Sequence, residues 1–450
     1  MERRYPIDEE IQIREQLRLL EAVSVAPFRS LPATRERRPT HRETRHQPVS
    51  FRREAPHIPS TTFGAFGLYR YPAKFIPQAV AYVIDHYATN RSRIIDPFAG
   101  SGTTGLTAYL YGLDSELWDL NPLLQHIIEA ALADPSLLHI DALIETLTRS
   151  KAFWLPEWSR MDYWYPEPAL KLLGKVWGYY HLEADGSLRP LLAIPLLRAT
   201  KLLSYNDPQR QKLSRSPKAI QRVERLLREG LESRFYAALR EEMARTVQKL
   251  LEYQHLLDPA CKPAIRVQAG VDSSELAESL PDDARWDMLI TSPPYLQAQE
   301  YIRCSKLDLF WLGYPEETIR ELAKRELPYK KVEPFEVLSP TYCEYAEQIQ
   351  ESHLLRLYQH YFFSVAKTLT LLSERIADTM CLFVGQATVR GKRIPTDVIF
   401  AEHFTALGWR HEVTYIDKIE ARVMFRSRFN PATGIEDHRM PTEHMVILRR

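Results

Sequence analysis

Residues 92–112 read SRIIDPFAGSGTTGLTAYLYG, and the order of events in this stretch decides the fold. A short apolar run ends at Asp96-Pro97, where proline can no longer donate to a sheet ladder. A turn holding Gly100 and Gly102 follows, and then an apolar segment of helical period for which Ser101 is the expected N-cap. Glycine lets backbone N–H groups approach a ligand closely at the N-terminus of a helix, beyond the carboxyl end of a strand. Gly100, Gly102 and Gly105 nominally spell G-x-G-x-x-G. The strand nevertheless ends in DPF and no phosphate-binding lysine follows, so the turn is not read as a dinucleotide fingerprint.

Working outward, SELWDL (115–120) is the next strand, and NPLLQHIIEAAL opens a helix with proline in its first turn. Asp119 closes that strand, where a carboxylate can accept both hydroxyls of a ribose or cap the following helix. Strand, glycine turn, helix and strand form the unit of a doubly wound, mostly parallel α/β sheet. Alternation pauses from about 134 to 263, a stretch of helical period rich in Trp, Leu and Arg, with an exposed loop expected near 201–221. It resumes with AIRVQAG (264–270), WDMLI (286–290), a helix near 302–313, TMCLFVG (379–385), a helix near 395–407 and the closing runs WRHEVTYI and HMVILRR. The expected organisation is an N-terminal helix and arginine-rich arm (1–60), a first α/β part (61–134), a helical insertion (135–262) and a second α/β part (263–450).

The chain has 450 residues, 45% hydrophobic and 26% charged, which suits a soluble globular protein of two or three folded units. No run approaches 18 apolar residues and the N-terminus lacks an apolar signal core, so neither a membrane span nor a secretion signal is expected. Cys261, Cys304, Cys343 and Cys381 are widely spaced with no C-x-x-C pair, which speaks against a metal ribbon or a disulfide framework and for a cytoplasmic protein. Net charge is only +1, yet positive charge is concentrated. Eight arginines lie between Arg29 and Arg53, and nine Lys or Arg residues between Arg198 and Gly230. Local basic blocks in a neutral chain suggest a polyanionic partner, although solvated helix faces have the same composition.

WDMLI runs into TSPPY (291–295), where Pro293-Pro294 end the strand abruptly. Alone, that is a stiff turn. Together, DPFAGSGTT, WDLNP, AGVD and DMLITSPPY resemble the motif series of the DNA amino-methyltransferases, the cytosine-N4 and adenine-N6 family that uses S-adenosyl-L-methionine. Upstream, YPAKFIP (71–77) is similar to the family segment beneath the methionine end of the cofactor. The resemblance implies a Rossmann-like S-adenosylmethionine-dependent methyltransferase domain. It further implies that Phe98, Gly100 and Gly102 bound the cofactor pocket, that Asp119 holds the ribose, that Asp272 meets the adenine amino group, and that Lys74 and Phe75 meet the methionine end. Asp96 orients the loop or contacts the cofactor amino group. No metal site is expected.

The chemistry gives TSPPY its task. The exocyclic amino group of a base is a poor nucleophile because its lone pair is delocalised, so it must be desolvated and aimed. Ser292 Oγ and the Pro293 carbonyl can accept from it, Pro293 and Pro294 hold those acceptors rigidly, and Tyr295 offers a face to a base taken out of the duplex. Serine in the first position of the motif is the family's cytosine-N4 pattern. Adenine-N6 or RNA-base methylation, and a silent nucleic-acid-binding subunit, remain the alternatives. Double-stranded DNA is the expected partner, with a restriction endonuclease or defence-system subunits as further possibilities. Arg198, Lys201, Arg210, Lys212, Arg215, Lys218 and Arg303 are the candidate nucleic-acid contacts, joined by loop arginines such as Arg390, Arg393, Arg422, Arg426 and Arg428. The 135–262 insertion is the first candidate for target recognition and 314–360 the second. The insertion precedes AGVD, whereas in the family's usual permutations the recognition domain follows it.

Overall fold

The computed structural model describes residues 31–32, 46–72, 75–210, 212–296, 300–327, 330–389, 392–419 and 441–450. Eight strands form one sheet: β1 (His46–Val49), β2 (Ile94–Asp96), β3 (Ser115–Asp119), β4 (Ile265–Ala269), β5 (Trp286–Thr291), β6 (Ile376–Gly385), β7 (Arg410–Lys418) and β8 (Thr442–Arg449). The helices used below are α1 (Pro77–Tyr87), α2 (Thr103–Leu110), α3 (Leu123–Leu132), α4 (Ile140–Arg149), α5 (Glu167–Gly178), α6 (Arg189–Leu202), α7 (Pro217–Glu229), α8 (Leu231–Gln254), α9 (Ser273–Glu278), α10 (Tyr301–Trp311), α11 (Glu316–Arg325), α12 (Pro340–Glu347), α13 (Ser352–Ser373) and α14 (Thr396–Ala406).

The strand order is β1-β7-β8-β6-β5-β2-β3-β4, and every pairing is parallel except those made by β8. This is the expected Rossmann-like α/β architecture. The chain leaves β2 towards β3 and β4 and then returns to β5 on the other side of β2, so the order reverses between β2 and β5. Ligand crevices of open α/β sheets lie at such a switch point, beyond the carboxyl ends of the strands. Because β8 alone runs antiparallel, its first residues lie at that same end, with Glu443 opposite Gly385.

Both faces of the sheet are covered, as parallel strands require. Ile95, Leu289, Met380, Leu382 and Val446 pack beneath α13 and α14. Their neighbours Ile94, Met288, Ile290, Cys381 and Met445 pack against α1 on the opposite face. The period-2 alternation of side chains separates the two sets.

The structure departs from the sequence expectation in two places. Residues 46–58 of the arm are built into the fold: β1 pairs with the edge of β7, and Phe51 is fully buried against Tyr82 and Phe383 at ring-centroid distances of 5.3 and 6.1 Å. HQPV has no apolar face of its own and is mostly exposed, so periodicity carried no trace of it. Residues 1–30 and 33–45 of the arm lie outside the described residues. The helices of 135–262 form where helical period placed them, but without a core of their own. Trp177, Leu196 and Leu239 belong to the same apolar cluster as Phe66, Leu117, Ile127 and Trp311. Helix α6 packs on α3, α8 packs on residues 64–67, and the Trp311 indole donates to the Tyr165 hydroxyl at 2.9 Å. Among the described residues no helix is long and apolar enough to cross a membrane.

Candidate active site

Asp96 is the knot of the site. Fully buried at the end of β2, it accepts the Phe98 N–H at 3.1 Å and the Thr104 and Thr291 hydroxyls at 2.6 Å each. Burial pushes its carboxyl up to about 6, against those three donors. It therefore ties the glycine turn and α2 to the end of β5, joining DPF to TSPPY.

Gly100, at φ 56°, donates its N–H to Asp119 Oδ2 at 2.7 Å, while Asp119 Oδ1 accepts the Asn121 N–H at 2.7 Å. The plane of this carboxylate is thus set by backbone, and burial pushes it up to about 6. A Cβ on Gly100 would lie 3.3 Å from Tyr71 Cε1, so glycine keeps the turn close to that ring. Gly102 is different. At φ 76° a Cβ there would strike Ile128 Cδ1 at 2.4 Å, so this glycine admits α3 rather than lining the cleft. It also takes the N-cap position expected of Ser101, whose hydroxyl instead sits 3.3 Å from that of Thr103. The positive-φ residue turns the chain into the helix one position later than the side-chain pattern suggested.

Asp96, Asp119, Phe98 and Gly100 open onto one cleft enclosing about 1240 Å³, part of it open to solvent, which Ser292, Pro294 and Tyr295 also line. Pro293 is buried behind them. The Tyr295 hydroxyl donates to Glu443 Oε1 at 2.6 Å, and burial raises both groups above their usual ranges. Phe75 lines the same cleft and stacks on Phe383 at 4.9 Å. Lys74 lies outside the described residues.

Asp272 lines the cleft, but its carboxylate is already engaged. It caps α9 through the Ser274 N–H at 2.9 Å and meets Lys330 Nζ at 2.6 Å. Burial pushes this carboxyl up, and Lys330 and Ser274 more than offset it, holding it below its ordinary value. The expected adenine acceptor is therefore an ion-paired helix cap.

Several further residues line or support the cleft beyond the expected site set. Tyr71 and Tyr301 stack at 6.0 Å with an interplanar angle of 14°. Asn121 Nδ2 donates to Ser305 Oγ at 3.0 Å and reaches the Tyr71 hydroxyl at 3.4 Å. Glu326 accepts the Ile302 N–H at 2.9 Å, and burial pushes it up to about 7. Tyr71 could have been found from its place in YPAKF. Glu326 and Lys330 carry no local signal, because both reach the cleft from a connection after α11. Among the described residues no group of three or more His, Cys, Asp or Glu is placed to hold a metal ion.

The expected nucleic-acid contacts divide. Arg198 donates to the carbonyls of Gly67 at 3.0 Å and Leu68 at 2.6 Å and pairs with Glu242 at 3.0 Å. Lys201 pairs with buried Asp308 at 2.7 Å. Both cations tie α6 to the rest of the fold through these interior acceptors. Arg210 lies 3.7 Å from Asp207, Lys212 and Arg303 share Glu300 at 2.6 and 3.2 Å, and Lys218 is exposed on α7. Arg215 lies over the rings of Tyr163 and Tyr205, 4.8 and 4.5 Å from their centroids. Lys392 and Arg393 are exposed, whereas Arg390, Arg422, Arg426 and Arg428 lie outside the described residues.

No family model matches the chain. It is 26% identical over 288 residues to the type II methyltransferase M.BsoBI of Geobacillus stearothermophilus, spanning 57% of this chain and 54%, about half, of that relative. It is 23% identical over 414 residues to the type II methyltransferase M.MvaI of Kocuria varians, covering 84% of this chain and 89% of the relative. Over 88 residues it is 34% identical to the type II methyltransferase M.MjaII of Methanocaldococcus jannaschii, covering 19% of this chain and 17% of that one.

Proposed function

We propose that this chain, a member of the DNA methyltransferase family, methylates the exocyclic amino group of a base flipped out of double-stranded DNA, with cytosine N4 as the acceptor. The observation that carries the reading is a single cleft lined jointly by Gly100 and Asp119 and by Ser292, Pro294 and Tyr295. The type II designation of the relatives supports a place in a restriction-modification system, with a cognate endonuclease as partner.

The cleft suits S-adenosyl-L-methionine, which would supply an electrophilic methyl group on a sulfonium. Asp119 presents a backbone-fixed carboxylate with lone pairs left for a ribose diol, Gly100 keeps the turn open, and Phe75 and Phe98 supply apolar walls. In the same cleft, Ser292 Oγ and the Pro293 carbonyl accept the two hydrogens of the target amino group. That pulls the group out of conjugation and turns its lone pair towards the cofactor. Both prolines have preset φ, so the acceptors lose little freedom when the base arrives. Tyr295 stacks on the base while Glu443 holds its hydroxyl, and the proton released after transfer leaves to solvent.

The test is methyl transfer from labelled cofactor to plasmid DNA, followed by nucleoside mass spectrometry. N4-methylcytosine is the expected product. N6-methyladenine would overturn the choice of base, label confined to RNA would overturn the substrate, and duplex binding without transfer would mark a silent subunit. Ser292→Ala should lower turnover by roughly a hundredfold, on the scale of one lost oriented acceptor, while leaving cofactor affinity in place.

A further inference from the structure

We propose that a cationic shelf built around Arg160, Lys306 and Arg320 receives the phosphate backbone of the duplex beside the flipped base, a proposal that rests on the reading of the substrate as double-stranded DNA. The shelf begins at the mouth of the cleft. Tyr301 and Ile302, the first residues of α10, line the cleft, and Glu300 just before them pairs with Lys212 and Arg303. Lys306 lies five residues along the same helix from Tyr301, roughly 7 Å of rise.

Lys306 is braced rather than paired. Its Nζ lies 4.8 Å above the Trp158 ring and 5.8 Å from the centre of Phe310, and those two rings stack at 4.3 Å. Burial, then the nearby charges of Arg160, Arg320 and Arg303, hold this amine below its ordinary value, with Glu316 as the opposing carboxylate. Among the described residues neither Arg160 nor Arg320 forms a carboxylate ion pair, and both are exposed. Like charges gathered around one lysine cost free energy in the unliganded protein, and an arriving anion relieves that cost.

The cluster continues into the segments 158–165 and 203–216, joined where the Tyr205 N–H donates to the Trp164 carbonyl at 2.8 Å. There exposed Arg215 lies over the rings of Tyr163 and Tyr205, 4.8 and 4.5 Å from their centroids. Lys306, on the helix that starts at the cleft, and Arg215, on the adjoining loop, are both held over aromatic rings, and with exposed Arg160 and Arg320 they match a backbone contact, which positions a duplex without reading its sequence.

The experiment measures binding of a 30-base-pair duplex by fluorescence anisotropy from 50 to 300 mM KCl, using the wild type and the triple variant Arg160→Gln, Lys306→Gln, Arg320→Gln. Each phosphate contact contributes about 0.9 to the slope of log affinity against log salt. The variant should therefore lose roughly 2 to 3 from that slope and bind at least tenfold more weakly at 150 mM, with its melting temperature and cofactor affinity unchanged. A control pair of exposed insertion cations already paired within their own helices, Arg149→Gln with Lys171→Gln, should leave the slope as it is. An unchanged slope in the triple variant, with a wild type that binds and methylates duplex DNA, overturns the shelf and leaves the functional reading standing. A wild type that neither binds nor methylates duplex DNA overturns the functional reading itself. Preferential binding of single-stranded RNA through the same three residues overturns the duplex assignment.

Discussion

Removing the Asp119 carboxylate should weaken cofactor binding far more than it slows transfer. Its two oxygens each accept one backbone N–H at 2.7 Å, from Gly100 and Asn121, and in the proposed function their remaining lone pairs take two ribose hydroxyls. A hydrogen bond to a charged group contributes about 1.5–3 kcal/mol, so losing two amounts to roughly 3 kcal/mol or more, or about a hundredfold in Kd. Asp119→Ala also leaves the Gly100 and Asn121 N–H groups without their acceptor, so a lower melting temperature should accompany the affinity loss. Asp119→Asn is no gentler, because its amide nitrogen must face one of those N–H donors.

A second arm uses pH. Burial pushes Asp119 up to about 6 from its ordinary 3.8, so the wild-type carboxylate becomes protonated as pH falls through 6 and cofactor affinity should fall with it. A carboxyl whose folded pKa is raised contributes stability at low pH that is lost as pH rises through the folded value. Acidification to pH 5 should therefore weaken the cofactor complex without this group unfolding the chain, and Asp96 follows the same direction. Calorimetric titration of cofactor between pH 5 and 8 reads both effects. A Kd that shifts less than threefold in a folded Asp119→Ala, or a flat wild-type profile across that window, would refute the ribose role.

Three further outcomes follow from particular contacts. Tyr295→Phe and Glu443→Ala should each slow turnover about tenfold and blunt the fluorescence of 2-aminopurine placed at the target position, and the double variant should lose no more than either alone; additive losses would break the link drawn from their 2.6 Å hydrogen bond. Gly102→Ala should destabilise the fold by about 2–4 kcal/mol through its positive φ and the clash with Ile128, whereas Gly100→Ala, strained by its own positive φ but meeting only Tyr71 at 3.3 Å, should cost less stability and additionally weaken cofactor affinity; thermal melts and titrations of both variants separate the roles. Lys330→Met leaves Asp272 buried without its ammonium partner, so that carboxyl should shift upward and stability should fall by about 3 kcal/mol, measured by denaturant melts at pH 5 and 8.

Much of the cleft was legible in the chain because its residues sit at strand ends and helix starts, where local chemistry leaves a mark. A proline stops a ladder, a glycine permits a turn, and an acid follows a short apolar run. DPFAG, Asp119 and TSPPY are all of this kind. Asp272 shows the limit of such reading: its position at a helix start was plain, but Lys330, 58 residues further on, determines what its carboxylate can accept. Arg198 and Lys201 show the same limit for charge. Composition counts cations, whereas only packing reveals that these two are held by the Gly67 and Leu68 carbonyls, Glu242 and Asp308.

By itself the chain determined the alternation of strand and helix and the two motifs that end β2 and β5, since periodicity and turn chemistry act over a few residues. Tertiary structure alone decided that these motifs meet. Thr291 reaches the buried Asp96 across nearly 200 residues of intervening chain, beside the sequence-local Thr104 hydroxyl, and the parallel pairing of β2 with β5 holds the two strand ends in register. It also decided that the antiparallel β8 brings Glu443 to Tyr295, and that the helices of 135–262 share the core of the α/β domain. Those outcomes depend on which apolar faces bury each other, a long-range competition that no local run of residues records.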